Sequence, residues 1–200
     1  MTLLDPAHAR LVLDRRVRVL RDHLAPLLPA GASVLDVGAG DGRIAAAVAA
    51  VRPDITIGGI DPLVRPGTFV PVTAFDGRRI PYPDASVDAV LLIDVVHHAE
   101  DGERLLREAI RVSRGCVSLK DHRRDGLLAE PTLRFMDRVG NARHGVALPY
   151  RYRSEAEWQA LFRALGVRPL RRRTRLGLYP APASWVFDRG LHLLVTLVPA

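Results

Sequence analysis

The stretch Val34-Leu35-Asp36-Val37-Gly38-Ala39-Gly40-Asp41-Gly42-Arg43-Ile44-Ala45 decides the fold of this chain. An apolar run, then three glycines at alternate positions, then alanine-rich sequence predicts a buried parallel strand, a tight turn and a helix. Glycine lacks Cβ, so the backbone can turn sharply and a ligand can approach it closely. Ligands of open α/β sheets bind beyond the carboxyl ends of the strands. The stretch therefore predicts a ligand site at this turn, with a tight turn that binds nothing as the alternative.

The spacing of the glycines discriminates between cofactors. In the dinucleotide fingerprint G-x-G-x-x-G, the third glycine follows the second by three residues. Arg43 occupies that position here, and the third glycine is Gly42, which disfavours a pyrophosphate ligand. The pattern D-x-G-x-G-x-G, which begins at Asp36, resembles the first motif of class I S-adenosylmethionine (SAM) methyltransferases. The resemblance implies that SAM is the cofactor and that Asp36, Gly38, Gly40 and Gly42 contribute to its site.

An acidic residue follows the second predicted strand, which covers residues 55–60. Asp61 lies 19 residues after Gly42, at the place of the acid that binds a ribose in nucleotide-binding sheets. A carboxylate accepts hydrogen bonds from both ribose hydroxyls, and such bonds contribute about 1.5–3 kcal/mol each. SAM carries an adenosine with a free ribose, so we predict Asp61 and the adjoining Pro62 at the cofactor site. A carboxylate that only caps the turn is the alternative.

A second motif covers Phe75-Asp76-Gly77-Arg78-Arg79-Ile80-Pro81-Tyr82-Pro83-Asp84-Ala85-Ser86-Val87-Asp88-Ala89-Val90. It is similar to the D-G-x-x-(I/L)-P-(F/Y)-x-(D/E)-x-S-(F/V)-D-x-V pattern of SAM methyltransferases that resemble the ubiquinone and menaquinone biosynthetic enzymes. In that pattern the first acid, which matches Asp76, bonds the adenine amino group. The resemblance therefore implies that Asp76 and Gly77 lie beside the adenine.

A polar cluster follows the next predicted strand, a continuous apolar run over residues 89–93 that reads as buried on both faces. The family commonly ends this strand with an acid and a histidine pair, which implies that Asp94 lies near the methionine part of SAM. His97 or His98 is a candidate general base for a substrate hydroxyl, because histidine titrates near neutrality. Structural hydrogen bonds are the alternative for both. We predict no metal site, because adjacent side chains should diverge and no Cys/His cluster accompanies them.

The segment 123–153 does not belong to the minimal fold. Within it, one face of a predicted helix comprises Leu128, Thr132, Phe135, Met136 and Val139. An insertion after the fifth strand should lie above the reaction centre, so we expect a substrate lid, with simple packing of the helix as the alternative. The candidate substrate contacts are His122, Phe135, His144 and Tyr150. The apolar and aromatic side chains favour an apolar substrate.

The charge balance bears on the class of substrate. The formal net charge is +7, and Lys120 is the only lysine among the 29 basic residues. A coding bias toward arginine explains this better than nucleic-acid binding, because aromatic residues are only 6% of the chain and nucleic-acid binders usually interleave aromatic with basic residues. We therefore expect a small-molecule substrate and no nucleic acid. An RNA or protein methyltransferase and a SAM-binding protein without turnover are the alternatives.

The predicted fold is α/β: a Rossmann-like, doubly wound, seven-stranded sheet with a C-terminal antiparallel hairpin, in a single domain over residues 1–200. Residues 1–30 should form a helix that covers the cofactor or packs on the sheet. The third strand is predicted over residues 68–72. The hairpin should pair residues 167–178 with residues 184–198.

The resemblance implies transfer of a methyl group from SAM to a small, apolar, lipid- or quinone-like metabolite at oxygen or carbon. Cys116 is the only cysteine, which suits a reducing compartment. We find no signal-peptide pattern and no apolar segment near the roughly 20 residues that a membrane span needs. A cytoplasmic monomer or homodimer is therefore expected.

Overall fold

The structure is a computed structural model that describes residues 6–141 and 148–200, with side chains described over residues 12–140 and 148–200. The candidate substrate contact His144 lies outside the described residues.

A seven-stranded sheet forms the centre of the molecule. Its strands are β1 (Ser33–Val37), β2 (Thr56–Asp61), β3 (Val72–Ala74), β4 (Val87–Ile93), β5 (Ser113–His122), β6 (Val167–Arg173) and β7 (His192–Pro199). They lie in the order β3-β2-β1-β4-β5-β7-β6. Neighbours from β3 to β5 are parallel, and β7 is antiparallel to both β5 and β6. The predicted α/β sheet with an antiparallel C-terminal pair is therefore confirmed.

Helices cover both faces of the sheet. They are α1 (Pro6–Leu24), α2 (Arg43–Val51), α3 (Gly102–Val112), α4 (Ala129–Asn141), α5 (Glu155–Ala164) and α6 (Ser184–Phe187), with a short 3-10 turn at Ala25–Leu27. Alternation along β1 sends Leu35 into one apolar cluster, with α3 and α5, and Val34 into another, with α1 and α2. This two-sided burial explains why the central strands are continuous apolar runs.

The third strand begins later than the sequence predicts. It covers Val72–Ala74, because Pro71 has no N–H to donate to a ladder. The preceding residues instead close the glycine turn, where Phe69 N donates to Asp41 O at 2.8 Å. The predicted strand over residues 68–72 is thus wrong in position, and the observed strand lies at the edge of the sheet.

The C-terminal hairpin has a longer connection than predicted. Residues 174–191 lie between β6 and β7 and contain α6. Leu176 and Leu178 are buried in the apolar cluster beneath α1, so this segment packs as a loop on the helix layer rather than extending the strands. Apolar residues that are buried by loop packing give the same local pattern as strand residues.

Helix α4 presents a different face to the core from the one predicted. Ala129, Leu133 and Asp137 are buried at helical spacing, whereas Phe135 and Val139 are about half exposed. The predicted stripe is therefore the outer one. The buried stripe, Ala129, Leu133 and Asp137, is not recognisable as an apolar pattern in the sequence, because one of its positions is an aspartate.

Across the residues that the structure describes, helices long and apolar enough to cross a membrane are not found.

Candidate cofactor and acceptor site

The glycine turn after β1 needs glycine at each of its three positions. Gly38, Gly40 and Gly42 have φ values of +75°, +60° and +72°, a left-handed conformation that other residues rarely adopt. A Cβ on Gly38 would lie 2.5 Å from Val95 Cγ2, and one on Gly42 would lie 2.6 Å from Val70 Cγ2. The turn is thus held closed by side chains from two neighbouring loops, at the edge where the parallel strands end.

Asp61 joins this turn to the next loop. Its Oδ2 accepts a hydrogen bond from Gly40 N and its Oδ1 accepts one from Leu63 N, each at 2.8 Å. Each carboxylate oxygen has a second lone pair, so the side chain can still accept from two ligand hydroxyls. Pro62 lies close to the second motif, since a Cβ on Gly77 would be 3.4 Å from Pro62 Cγ. The structure therefore brings the predicted ribose and adenine residues together.

Asp36 provides a buried acceptor beneath the turn. Its side chain is 3% exposed, and its Oδ1 has no hydrogen-bond partner among the described residues. Burial, together with the nearby Asp61 charge, raises the pKa of Asp36 to about 7. A buried carboxylate oxygen without a donor suits a ligand that carries a positive charge or an N–H group, and SAM has both an ammonium and a sulfonium group.

Asp76 is an exposed acceptor in the second motif. Its Oδ1 accepts hydrogen bonds from the backbone N–H groups of Arg78 and Arg79 at 2.7 and 2.8 Å. These bonds lower the pKa of Asp76. Both bonds use the same oxygen, which leaves the other oxygen geometrically suited to an adenine amino group.

Asp94 is neutralised by two cationic side chains. Lys120 Nζ lies 2.5 Å from its Oδ1, and Arg16 of α1 donates to its Oδ2. Burial opposes ionisation of Asp94, but the charges of Lys120 and Arg16 outweigh it and hold its pKa well below the usual range. Asp94 also has a left-handed φ of +56°. Helix α1 packs on the sheet through Leu20 and Leu24, and Arg16 brings it to this edge; that it covers the cofactor stays a prediction.

The two adjacent histidines lie together after β4. Their ring centroids are 4.0 Å apart, so the expected divergence is not observed. His97 is buried, with Nδ1 2.7 Å from Asp121 Oδ1 and Nε2 3.5 Å from Asp137 Oδ2. Burial alone would lower the pKa of His97. The carboxylates of Asp121 and Asp137 outweigh that effect, and the net result is a pKa raised from 6.5 to about 10. His98 is half-buried and is the more accessible of the two.

The segment 123–153, which the sequence predicts to be a lid, brings Asp137 and Tyr152 to this edge, and only Asp137 was not indicated by the sequence pattern. Tyr152 Oη donates to Asp137 Oδ2 at 2.5 Å, and the Tyr152 ring lies 5.6 Å from the His97 ring. His122 also joins this group, with Nε2 3.4 Å from Asp94 Oδ1, while burial holds its pKa well below the usual range.

The other predicted lid contacts lie further out. Tyr150 is half-buried, with its ring 6.3 Å from that of Tyr152. Phe135 is 53% exposed and stacks on Phe187, with ring centroids 6.2 Å apart. The structure thus gathers His97 and His122 at the sheet edge and leaves Phe135 on the outer surface of α4.

Comparisons with known proteins agree with this geometry. The family described as a methyltransferase domain matches residues 35–115. The 27-O-demethylrifamycin SV methyltransferase of Amycolatopsis mediterranei (strain S699) is 32% identical over 126 residues, which are 54% of this chain and 46% of that protein. An uncharacterized methyltransferase of Mycobacterium sp. (strain JLS) is 38% identical over 93 residues, which are 43% of this chain and 36% of that protein. The matches thus cover less than half of these curated relatives.

Solved structures share the fold. A SAM-dependent methyltransferase of Thermotoga maritima, described as a possible histamine N-methyltransferase, aligns with a TM-score of 0.68 and 22% identity over 95% of this chain and 92% of that one. The 1,6-didemethyltoxoflavin-N1-methyltransferase of Burkholderia thailandensis, solved with S-adenosylhomocysteine, aligns with a TM-score of 0.61 and 21% identity over 94% of this chain and 78% of that one.

The strand order, the three-glycine turn, the acid that ends β2, the acid that follows β3 and the sequence matches all point to SAM as the cofactor and to a Rossmann-like fold. Residues 35–115 thus match a methyltransferase domain, and these findings support assignment of the chain to the class I SAM-dependent methyltransferases.

Proposed function

We propose that this chain transfers a methyl group from SAM to a small, apolar metabolite at oxygen or carbon. The observation that carries the proposal is a set of hydrogen-bond acceptors around the glycine turn. Asp36 is buried and its Oδ1 has no hydrogen-bond partner among the described residues, and each oxygen of Asp61 accepts one backbone hydrogen bond and has a second lone pair for a ligand. In this proposal Asp61 binds the ribose hydroxyls, Asp76 binds the adenine amino group, and Asp36 faces the positively charged part of SAM.

The acceptor would lie where the lid segment meets β4 and β5. A small apolar cluster there contains Ala129, Leu133, Tyr152 and Leu191, with Met136 and Tyr150 packed against it. This cluster offers apolar contacts on one side of the edge, which suits an acceptor with an apolar body. The name of the Amycolatopsis relative describes O-methylation of a small molecule, which supports the same class of acceptor for this chain.

The chemistry needs little from the protein beyond alignment. The bond between the methyl carbon and the sulfonium sulfur breaks as the bond between that carbon and the acceptor forms. The products are S-adenosylhomocysteine, the methylated acceptor and one proton, which the acceptor releases. Positioning of two reactants can contribute about 7–11 kcal/mol to lowering a barrier. We assign uptake of the acceptor proton to His98, which is half-buried, because His97 is buried and its raised pKa keeps it protonated at neutral pH. The protein acts as a cytoplasmic monomer or homodimer in this proposal.

An RNA or protein substrate is the second candidate, and the net charge of +7 motivates it. Against it, β4 is followed by Asp94-Val95-Val96-His97 and not by the (D/N)-P-P-(Y/F) block of base-amino methylases. We therefore favour the small-molecule acceptor.

Calorimetry with SAM tests the cofactor assignment. We expect Asp61→Ala to weaken SAM binding at least tenfold, because two charge-assisted hydrogen bonds are lost. Asp22→Ala is the matched control, since Asp22 is an exposed acid of α1 that pairs with Arg21, and it should bind SAM as the wild type does. A wild-type chain that does not bind SAM would overturn the proposal. Labelled SAM, incubated with a small-molecule extract and separately with total RNA, then distinguishes the two acceptor classes.

A further inference from the structure

Three potential metal ligands converge beside the acceptor edge. One nitrogen each of His97 and His98 and one carboxylate oxygen of Asp137 lie within 4.8 Å of one another. His97 is 1% and Asp137 is 5% exposed, whereas His98 is half-buried. The group therefore has a closed side within the protein and one side nearer the solvent.

We propose that His97, His98 and Asp137 bind a divalent transition-metal ion, with zinc as the best match. Two imidazole nitrogens and one carboxylate oxygen form a ligand set that zinc accepts, and three protein ligands leave a fourth position open. His97 Nε2 makes no hydrogen bond with any described residue, although Asp137 Oδ2 lies 3.5 Å away. Zinc–ligand bonds of about 2.0–2.1 Å in a tetrahedron separate neighbouring ligand atoms by about 3.3 Å, so this pair is already near the required distance.

The residues behind the ligands are arranged as in metal sites. Asp121 Oδ1 lies 2.7 Å from His97 Nδ1, which turns the opposite nitrogen, Nε2, toward Asp137. Tyr152 donates to Asp137 Oδ2 and holds that carboxylate in place. Metal-bound histidines usually donate their second ring N–H to a carboxylate or carbonyl, and ligating carboxylates are themselves hydrogen-bonded. Both features are present here before any ion is added.

The local charge balance favours a cation at this position. Among the ion pairs of the described residues, Asp121 pairs with His97, and Asp137 pairs with His97 and His122. No lysine or arginine of the described part of the chain pairs with either carboxylate. In the ion-free protein the His97 ring lies between them and supplies the compensating charge as an imidazolium, and a divalent cation would take the place of its proton.

A neighbouring triad is a weaker candidate. Asp94, His97 and His122 also offer ligand atoms within 4.8 Å of one another. However, Lys120 and Arg16 already occupy Asp94, and a metal ion there would be repelled by both. The charge argument thus selects the site that includes Asp137.

Binding of the ion does not depend on the activity proposed above, but its role does. An ion at this edge would bind the acceptor hydroxyl at its open position and lower the pKa of that hydroxyl. The proton would then pass to water, and direct removal by a histidine would be unnecessary. This role rests on the proposed methyl transfer.

Titration of the chelator-treated full chain with Co²⁺ tests the site directly, without SAM or an acceptor. We expect one Co²⁺ per chain, with the visible absorption of a four-coordinate site, and displacement by Zn²⁺. Asp137→Asn and His98→Gln should each weaken Co²⁺ binding at least tenfold. Substitution of residues that only support metal ligands already costs about 10- to 100-fold in affinity, so loss of a ligand should cost no less. His192→Gln is the matched control, because His192 is a buried histidine with Nε2 3.4 Å from Asp188 Oδ1 that belongs to neither triad, and it should change Co²⁺ affinity less than twofold.

Absence of stoichiometric Co²⁺ and Zn²⁺ binding would overturn the inference, as would equal losses in His192→Gln and His98→Gln. Circular dichroism establishes folding, and if Asp137→Asn does not fold, the half-buried His98 still decides the question. A second readout is the melting temperature, which Zn²⁺ should raise in the wild type and not in His98→Gln. A chain that binds SAM but no metal contradicts only this inference, and a chain that binds metal but no SAM contradicts only the proposed function.

Discussion

Lys120 Nζ lies 2.5 Å from Asp94 Oδ1, and the lysine is only 1% exposed. Lys120 pairs in register with Ile93, the last residue of β4, so the ion pair spans the carboxyl ends of β4 and β5. Burial lowers the pKa of Lys120, and Asp94 opposes that shift. Each charge therefore offsets the free-energy cost of burying the other.

Asp94→Asn should destabilise the protein by about 3–5 kcal/mol, because it leaves a buried ammonium group without its carboxylate. Asparagine tolerates the left-handed backbone at this position, so the effect would come from the charge. The double variant Asp94→Asn, Lys120→Met should recover most of the loss. Urea denaturation of the wild type, both single variants and the double variant measures the coupling, and additive effects of the two substitutions would contradict it.

Asp36 should make stability fall as the pH rises. Its folded-state pKa is raised from 3.8 to about 7, so the folded state binds the proton more tightly than the unfolded state. Its contribution therefore favours folding at acidic pH and is lost as the pH rises through about 7. Asp36→Asn removes this dependence, and the variant should gain about 2–3 kcal/mol relative to the wild type between pH 5 and pH 8. Denaturation at both pH values measures this gain, and a relative loss would show that the sign is wrong.

Gly38→Ala should cost more than a left-handed backbone alone explains. Gly31 has a similar φ of +65° with nothing within 4 Å of a Cβ, whereas a Cβ on Gly38 would be 2.5 Å from Val95 Cγ2. Gly31→Ala should therefore cost about 1–2 kcal/mol from backbone strain, and Gly38→Ala should cost more and weaken SAM binding.

Adding Val95→Ala to Gly38→Ala should recover the excess cost and leave the backbone strain. Chemical denaturation of these variants separates the two contributions. Equal losses of stability in Gly31→Ala and Gly38→Ala would contradict the packing argument.

The sequence predicted the cofactor half of the site because its determinants are local. The strand, the turn and the helix that present Gly38 to Gly42 are contiguous, and Asp61 follows at a fixed distance. Backbone geometry alone brings such residues to one sheet edge. The structure places Asp61 against Gly40 N, in agreement with the arrangement that the motif implies.

The acceptor half was not predictable in the same way, because its contacts join distant parts of the chain. Asp137 lies 40 residues after His97, and Tyr152 lies another 15 residues on, so no short motif connects them. The signal that was available is an aspartate on the stripe Ala129, Leu133, Asp137, where an acid is out of place unless it has a buried partner. The apolar residues of the opposite stripe obscured it.

The orientation of α4 can be tested with two substitutions of similar chemistry. Leu133 is fully buried and Phe135 is 53% exposed. Leu133→Ala should cost about 2–5 kcal/mol, as large-to-small core substitutions do, and Phe135→Ala should cost much less despite removing a larger side chain. Thermal denaturation of the pair gives the comparison, and the reverse order would restore the stripe predicted from the sequence.

Phe135→Ala also tests the predicted substrate contact. An exposed side chain that stacks on Phe187 should leave KM for the acceptor unchanged, whereas a several-fold rise in KM would mean that the outer face of α4 meets the substrate.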